Sequence, residues 1–245
     1  MKALIFAAGL GTRLKPYTDS MPKAMVPVNG KPLLEHIILK MKHSGFDELI
    51  VNVHHFPDQI IDFLKQNNDF GIRIAISDER DLLLDTGGGI KNASWFFDDA
   101  KPFLVHNVDI ISNADFAALF AAHQQNNCLA TLLVSKRDTF RLLLFDENYR
   151  LQGWLNEKSG ETKPSGLSDY AHFQKLAFAG IQVLSPKVFR LMENFENRFP
   201  IMDFYISLAG TAKVAGYIPS EFTMLDIGKV DVLDGLENGS ITLPG

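Results

Sequence analysis

One cysteine, Cys128, is present among the 245 residues, so the chain cannot form an intrachain disulfide. That usage is typical of a protein that folds in a reducing compartment. No apolar run approaches the roughly 20 residues of a membrane-spanning helix. The apolar start breaks at Gly9, which does not fit a signal peptide. The sequence therefore predicts a soluble, cytoplasmic protein with no membrane partner.

Basic runs are also missing, and the formal net charge is −5. Both features argue against the broad cationic surface with which proteins bind a nucleic acid polymer. An anionic ligand must then be met by a few well-placed cations. The opening segment supplies three of them, Arg13, Lys15 and Lys23.

Short apolar runs alternate with helix-period segments through the first half, which is typical of βαβ units around a parallel sheet. The pattern predicts a doubly wound sheet with strands at 2–7, 48–53, 72–77 and 102–109. The helix after the fourth strand is predicted to take Asn113 as its N-cap.

The second half changes to strands and hairpins, and its polar segment 158–174 is either a surface flap or a disordered loop. No linker rich in Gly, Ser or Pro divides the chain, and no internal repeat is found. We predict a single domain over 1–245.

After the first strand comes "AAGLGTRLKPYTDSMPKAMVPV", where α/β sheets bind ligands. The segment lacks G-x-x-x-x-G-K-[ST] and has only the first two glycines of G-x-G-x-x-G. Its residues alone leave two interpretations. It is either a surface loop with solvated cations, or a glycine loop that approaches an anion beside Arg13 and Lys23.

This segment resembles the signature of the sugar nucleotidyltransferases, A-A-G-x-G-T-R-L-x-P-x-T-x-x-x-P-K-x-x-x-P, at every specified position. The resemblance implies an α/β fold with a three-layer Rossmann-like (GT-A-like), mainly parallel sheet flanked by helices and an additional smaller β region. It also implies a nucleotide-binding part, 1–135, and a sugar-binding part, 136–245. Catalytic roles fall on Arg13 and Lys23. Nucleotide contacts fall on Ala8, Gly9, Gly11 and Thr12.

Two aspartates, Asp109 and Asp226, each end a predicted strand, and they stand so far apart in the sequence that only folding can bring them together. A lone Asp in such a place is commonly a cap or turn residue. The resemblance implies instead that both hold Mg²⁺, which prefers carboxylate and phosphate oxygens. Val108 departs from the family, which commonly has Gly there.

The stretch "ERDLLLDTGGGIKNA" resembles the base-recognition segment of the family. Three glycines at a helix start are unfavourable unless something approaches closely. Either a ligand or tight packing against a neighbouring strand meets that condition. The resemblance assigns nucleotide contacts to Glu79, Asp85, Thr86 and Gly87.

Sugar and sugar-phosphate contacts are implied by "LNEKSGE", "AFAGIQVL" and the end of the fourth strand. They fall on Asn107, Glu157, Lys158 and Gly180. Three aromatic residues, Trp95, Phe96 and Phe97, are predicted to be core anchors.

The implied activity joins a nucleoside triphosphate to a sugar 1-phosphate and releases pyrophosphate, with Mg²⁺ as cofactor and either a monomer or a homodimer. Within the family the sequence most resembles short bacterial N-acetylmuramate 1-phosphate uridylyltransferases, and mannose-1-phosphate guanylyltransferases share much of the pattern. A catalytically silent nucleotide-sugar sensor is an open alternative. A nicotinamide-dependent oxidoreductase is disfavoured, because the second strand ends in "VNVHH" without a carboxylate.

Overall fold

The computed structural model describes residues 1–244. Its helices are α1 Leu33–His43, α2 Pro57–Gln66, α3 Asp85–Asn92, α4 Phe116–Asn126, α5 Lys187–Met192, α6 Ile201–Ser207 and α7 Val230–Glu237. Its strands are β1 Lys2–Phe6, β2 Pro27–Val28, β3 Lys31–Pro32, β4 Glu48–Val53, β5 Arg73–Asp78, β6 Phe103–Asn107, β7 Ile110–Ser112, β8 Ala130–Ser135, β9 Arg141–Phe145, β10 Leu151–Asn156, β11 Glu161–Lys163, β12 Gln174–Leu184, β13 Val214–Tyr217 and β14 Met224–Asp226.

Four parallel strands form the centre of the sheet, in the order β5-β4-β1-β6. Ile5 of β1 lies opposite Val51 of β4 on one side and His106 of β6 on the other. Strands buried on both faces read as continuous apolar runs, which is why β1, β4 and β6 could be located from the sequence. Strand order reverses at β1, because β4 and β5 follow on one side of it and β6 is added on the other side.

Beyond β6 the sheet becomes antiparallel through β12, which pairs with β6, β8 and β9. β12 pairs with β9 over 174–176 and with β6 over 181–184, so its partner changes near Gly180. The register with β8 also shifts between Phe178 and Gln182, a β-bulge. β10 and β11 extend the sheet beyond β9, and β13 pairs with β8.

Helices cover both faces of the sheet, because successive side chains of a strand point to opposite sides. Ala3 and Ile5 pack into a core with α1, α2, α4 and α7. Leu4, between them, packs into a second core with α3, α5 and α6. The three-layer α/β class with an additional β region is confirmed.

Three local predictions need correction. Asp115, not Asn113, caps α4: its Oδ1 accepts from Ala118 N at 3.0 Å. Asp109 does not end a strand, since β6 stops at Asn107 and Asp109 lies in the turn before β7. Trp95 is 57% exposed, whereas its two aromatic neighbours are buried. The polar segment 158–174 was predicted to be a surface flap or a disordered loop, and part of it pairs with β10 as β11, which favours the flap.

Candidate active site

A cavity of about 310 Å³ opens at the carboxyl ends of the parallel strands, beside the point where strand order reverses. Ligands bind open α/β sheets at this position. The lining is drawn from β1 and the loop after it, from the ends of β4 and β6, and from the start of α3. Its residues are Phe6, Ala8, Gly9, Lys23, Asn52, Glu79, Leu83, Asp85, Thr86, Asn107, Val108, Asp109 and Arg198.

A second cavity of about 320 Å³ adjoins the loop that follows β1, residues 8–12, which we call the glycine loop. It is lined by Gly9, Leu10, Gly11, Thr12, Arg13, Lys23, Leu83 and Gly228. Gly9, Lys23 and Leu83 line both cavities, so the two spaces are neighbours. The predicted loop residues therefore line two adjoining cavities.

Gly11 holds the shape of the glycine loop. Its φ of +64° is unfavourable for other residues, and an added Cβ would lie 2.7 Å from Thr18 Cγ2. Thr18 Oγ1 donates to Gly11 O at 2.8 Å. The loop is thus fixed by its own following segment.

The two predicted metal-binding aspartates are brought together by a short antiparallel pair, β7 with β14. Asp226 lies opposite Ile110 in the register. Ile227 N donates to the backbone oxygen of Asp109 at 2.8 Å. The adjacent strands thus place both carboxylates at one edge of the sheet.

The β7–β14 pair is fastened at its other end by Asn113, the residue predicted to cap α4. Asn113 Oδ1 accepts from Thr223 N at 2.8 Å, and Asn113 N donates to Thr223 O at 3.2 Å. This side chain therefore helps to fix the strand that carries Asp226.

Cations accompany both carboxylates. Lys23 Nζ donates to Asp109 Oδ2, and both side chains are mostly buried. Arg13 approaches Asp226 across Gly228, where a Cβ would lie 2.8 Å from Arg13 Nη2 and 2.5 Å from Asp226 Oδ1. The two predicted catalytic cations therefore lie beside the two predicted metal ligands.

Asp226 Oδ1 is buried and accepts no hydrogen bond from any of residues 1–244. A buried carboxylate oxygen without a partner is unfavourable unless a cation or donor approaches it. Two carboxylates and no third acidic, His or Cys ligand in the described chain fit Mg²⁺, which often takes one or two carboxylates and completes its shell with phosphates and water. The donor set therefore fits the predicted ion.

The base-recognition segment begins α3. Asp85, at φ +62°, accepts from Thr86 N at 2.6 Å and lines the cavity together with Thr86. Thr86 Oγ1 accepts from Ile201 N at 2.9 Å, which ties α3 to α6.

The α3 glycines permit close packing. A Cβ at Gly87 would lie 2.2 Å from the Phe199 ring, and one at Gly88 would lie 2.1 Å from Asn197 O. Gly87 N also donates to Phe199 O at 2.8 Å. The packing partner of Gly87 and Gly88 is a loop between α5 and α6, whereas Gly89 packs on the strand side chains Phe6 of β1 and Asn52 of β4. Nucleotide contact by Gly87 stays a prediction, and the residue is not among those that line either cavity.

Glu79 lies just after β5 and is only 3% exposed. Its Oε1 accepts from Asn52 Nδ2 at 2.8 Å, and its Oε2 accepts from Leu84 N at 3.1 Å. Burial raises the pKa of Glu79, and the two hydrogen bonds oppose that rise. Asn52 Oδ1 in turn accepts from Ala7 N at 2.7 Å and Ala8 N at 3.2 Å.

The predicted sugar-binding residues fall into two places. Asn107 and Gly180 adjoin, since a Cβ at Gly180 would lie 2.9 Å from Asn107 Nδ2. Glu157 and Lys158 lie outside the lining of both cavities, between β10 and β11. Glu157 Oε1 accepts from Lys175 Nζ at 2.9 Å.

Sequence reasoning missed two residues of this site. Asn52 is a polar residue within the apolar strand "ELIVNV", a pattern that could have revealed a buried hydrogen-bonding role. Arg198 lines the first cavity from the α5–α6 loop, and it forms no ion pair with residues 1–244. Nothing around Arg198 in the sequence marks it. No described helix is long and apolar enough to cross a membrane.

The fold and site define an α/β protein with a glycine loop, two adjacent carboxylates and paired cations at the switch point of its sheet. Residues 2–234 match the family model described as Nucleotidyl transferase. The chain therefore belongs to the nucleotidyl transferase family.

Two curated relatives illustrate the similarity. The chain is 30% identical to N-acetylmuramate alpha-1-phosphate uridylyltransferase of Caulobacter vibrioides, over 91% of this chain and 90% of that protein. It is 26% identical to UTP--glucose-1-phosphate uridylyltransferase of Synechocystis sp., over 94% of this chain. The chain spans 61% of the length of the Synechocystis protein.

A crystal structure of HddC from Yersinia pseudotuberculosis complexed with GMP-PN has the same fold. It superposes with a TM-score of 0.77 at 21% identity, over 98% of this chain and 99% of that one.

Proposed function

We propose that the protein is a sugar-1-phosphate nucleotidyltransferase, and that its reaction joins UTP to N-acetylmuramate 1-phosphate. The observation that carries the reaction class is the convergence of Arg13 and Lys23 with Asp109 and Asp226 at one edge of the sheet. Two anionic reactants repel each other, and this arrangement offers the charges that offset the repulsion.

In the proposed reaction an oxygen of the sugar 1-phosphate attacks the α-phosphorus of the nucleoside triphosphate. A new P–O bond forms, the bond from the α-phosphorus to the bridging oxygen breaks, and pyrophosphate leaves with the electron pair. A phosphate monoester has a second pKa of about 6, so the attacking group is ionised near neutral pH. No general base is required from the chain.

The cations have separate roles in this scheme. Arg13 stabilises the departing pyrophosphate, because its guanidinium can donate to two phosphate oxygens at once. Lys23 neutralises charge near the reacting α-phosphate. Asp109 and Asp226 would hold Mg²⁺, which when bound supplies positive charge to the phosphate oxygens.

The position of Arg198 supports a sugar substrate that carries a carboxylate. N-acetylmuramate differs from N-acetylglucosamine by a lactyl ether that carries a carboxylate. Arg198 brings to the first cavity a guanidinium with no ion-pair partner in 1–244. Such a group fits a carboxylate in a bidentate contact. The similarity to the Caulobacter protein points to the same sugar.

Pyrophosphate release measured over a grid of substrates tests the proposal. The grid crosses UTP, GTP, TTP and CTP with N-acetylmuramate, N-acetylglucosamine, glucose and mannose 1-phosphates in the presence of Mg²⁺. We expect the highest kcat/KM for UTP with N-acetylmuramate 1-phosphate. A maximum for GTP with mannose 1-phosphate would favour a guanylyltransferase, and no turnover anywhere would favour the silent sensor.

The role of Arg198 has its own comparison. Arg198→Ala should lower kcat/KM for N-acetylmuramate 1-phosphate about tenfold or more, with little change for N-acetylglucosamine 1-phosphate. Arg190→Ala, an exposed arginine on α5 outside both cavities, is the matched control. Equal losses for both sugars in Arg198→Ala would contradict carboxylate recognition.

A further inference from the structure

A continuous chain of hydrogen bonds, buried except for the partly buried last one, joins the two sides of the first cavity. It runs from the backbone N–H groups of Ala7 and Ala8 to Asn52 Oδ1, and from Asn52 Nδ2 to Glu79 Oε1. It ends at Leu84, whose N–H donates to Glu79 Oε2. The glycine loop after β1 and the segment that begins α3 are thus connected through two side chains.

Both side chains are shielded from water, with 2% exposure for Asn52 and 3% for Glu79. Gly89 of α3 leaves room for them: a Cβ there would lie 3.0 Å from Glu79 Oε1 and 3.1 Å from Asn52 Nδ2. His54 Nδ1 also lies 2.7 Å from Glu79 O, which holds the backbone at the same point. Hydrogen bonds shielded in this way are costly to break, because their partners are left unsatisfied.

Every oxygen of the Asn52 and Glu79 side chains accepts from the protein itself. Both carboxylate oxygens of Glu79 therefore already accept a hydrogen bond from the chain. Its contacts instead fix the separation between Ala8, on one wall of the cavity, and the segment that leads to Asp85 on the other.

We propose that Asn52 and Glu79 are positioning residues, which set the width of the nucleotide-binding cleft by fixing the glycine loop against the start of α3. The inference rests on the proposed function in assigning those two segments to the nucleotide. It assigns to Glu79 a role that differs from direct contact with the base.

Exchanging the amide of Asn52 and the carboxylate of Glu79 between the two positions tests this proposal. In Glu79→Gln the side-chain amide must face Asn52 Nδ2 or Leu84 N, which places donor against donor. In Asn52→Asp a carboxylate oxygen faces Glu79 Oε1. In the double variant Asn52→Asp/Glu79→Gln, the introduced amide donates to the introduced carboxylate, while the amide oxygen accepts from Leu84 N. Each bond then has one donor and one acceptor again.

The Kd for UTP, measured by calorimetry without sugar phosphate, is the first readout, and the KM values for both substrates are the second. We expect each single variant to raise the Kd and KM for UTP about tenfold, with less than about a threefold change in the KM for the sugar phosphate. The double variant should restore the Kd for UTP to within about threefold of the wild type.

Tyr205→Phe is the matched control, because it removes another buried side-chain hydrogen bond, from Tyr205 Oη to Gln182 Oε1 at 2.8 Å, away from both cavities. It should lower the Tm and leave the Kd for UTP unchanged.

Three results would overturn the proposal: single variants that bind UTP as the wild type does, a double variant whose loss is the product of the two single losses, or single variants that do not fold at all. The last result would make the pair a folding element. The proposed function fails separately, since a wild-type protein that binds UTP but shows no turnover would leave the binding comparison intact.

Discussion

The guanidinium of Arg13 and the carboxylate of Asp226 lie against the same face of Gly228, 2.8 and 2.5 Å from where a Cβ would stand. Both groups are the ends of side chains, so a methyl group at Gly228 would displace them without moving the backbone. We expect Gly228→Ala to lower kcat more than tenfold with a change of only a few degrees in Tm. Steady-state kinetics and a thermal melt check this.

Gly216→Ala in β13 is a suitable control, because its Cβ would lie 3.1 Å from Phe145 of β9 and outside both cavities. It should lower the Tm while kcat stays near the wild-type value. A similar fall in kcat for both variants would show that the effect of Gly228→Ala is not local.

Removal of a charged group from the site should separate activity from stability. Arg13→Ala and Asp109→Ala are each expected to lower turnover more than tenfold and to leave the fold intact. Circular dichroism reports the fold, and pyrophosphate release reports turnover. Near-wild-type turnover in either variant would contradict the role assigned to that residue.

Asp226 offers a prediction that does not depend on turnover. Its buried Oδ1 has no hydrogen-bond partner in the described chain, so Asp226→Asn removes a charge from a buried oxygen that no hydrogen bond satisfies and should raise the Tm of the metal-free protein by a few degrees. Mg²⁺ with UTP should raise the Tm of the wild type and have a smaller effect on the variant. Equal shifts in both proteins would remove Asp226 from the metal site.

The packing of Gly88 makes a stability prediction. A Cβ at Gly88 would lie 2.1 Å from the backbone oxygen of Asn197, so the α5–α6 loop must move. Gly88→Ala should lower the free energy of unfolding by about 2 kcal/mol or more. Gly9→Ala is the comparison, since nothing lies within 4 Å of its Cβ position and the Tm should change little. Denaturant unfolding of both variants distinguishes the clash at Gly88 from the effect of adding a methyl group at an uncrowded position.

Acid should destabilise the fold through two buried histidines. Burial lowers the pKa of His106 and of His123 from 6.5 to about 4 in each case. Between those values the unfolded chain binds protons that the folded chain does not, so stability falls as pH decreases, by about 2 kcal/mol for each histidine at pH 5.

His123→Asn should reduce this dependence, because an amide takes up no proton in that range. Urea unfolding at pH 7.5 and pH 5 measures the difference. His172, whose side chain is 59% exposed, provides the control: His172→Asn should leave the pH dependence unchanged. If His123→Asn leaves the difference in unfolding free energy between pH 7.5 and pH 5 unchanged, other groups cause the acid sensitivity.

Patterns within one element carried most of what the sequence predicted. The apolar runs of β1, β4 and β6 located the parallel centre of the sheet, because strands buried on both faces need apolar side chains throughout. The convergence of Asp109 and Asp226 was also predicted, but from family resemblance. Nothing local indicates that β7 and β14 pair.

Contacts between distant segments account for what was missed. Asn113 was predicted to cap a helix, and it bonds instead to Thr223, 110 positions away. The α3 glycines were expected to meet a ligand or a neighbouring strand; Gly89 does pack on β1 and β4 side chains, but Gly87 and Gly88 pack on the α5–α6 loop. Arg198 reaches the cavity from that same loop. Such pairings depend on the complete fold and leave no periodic trace in the sequence.

The change of partner along β12 has a consequence for how this chain can vary. One continuous strand bonds first to β9 and then to β6, with the bulge at Gly180 between the two stretches. The hairpins formed by β9, β10 and β11 therefore join the parallel centre of the sheet through β12, whose second stretch, 181–184, is bonded to β6. Insertions or substitutions in those hairpins can accumulate during evolution while β1, β4 and β6 keep their register.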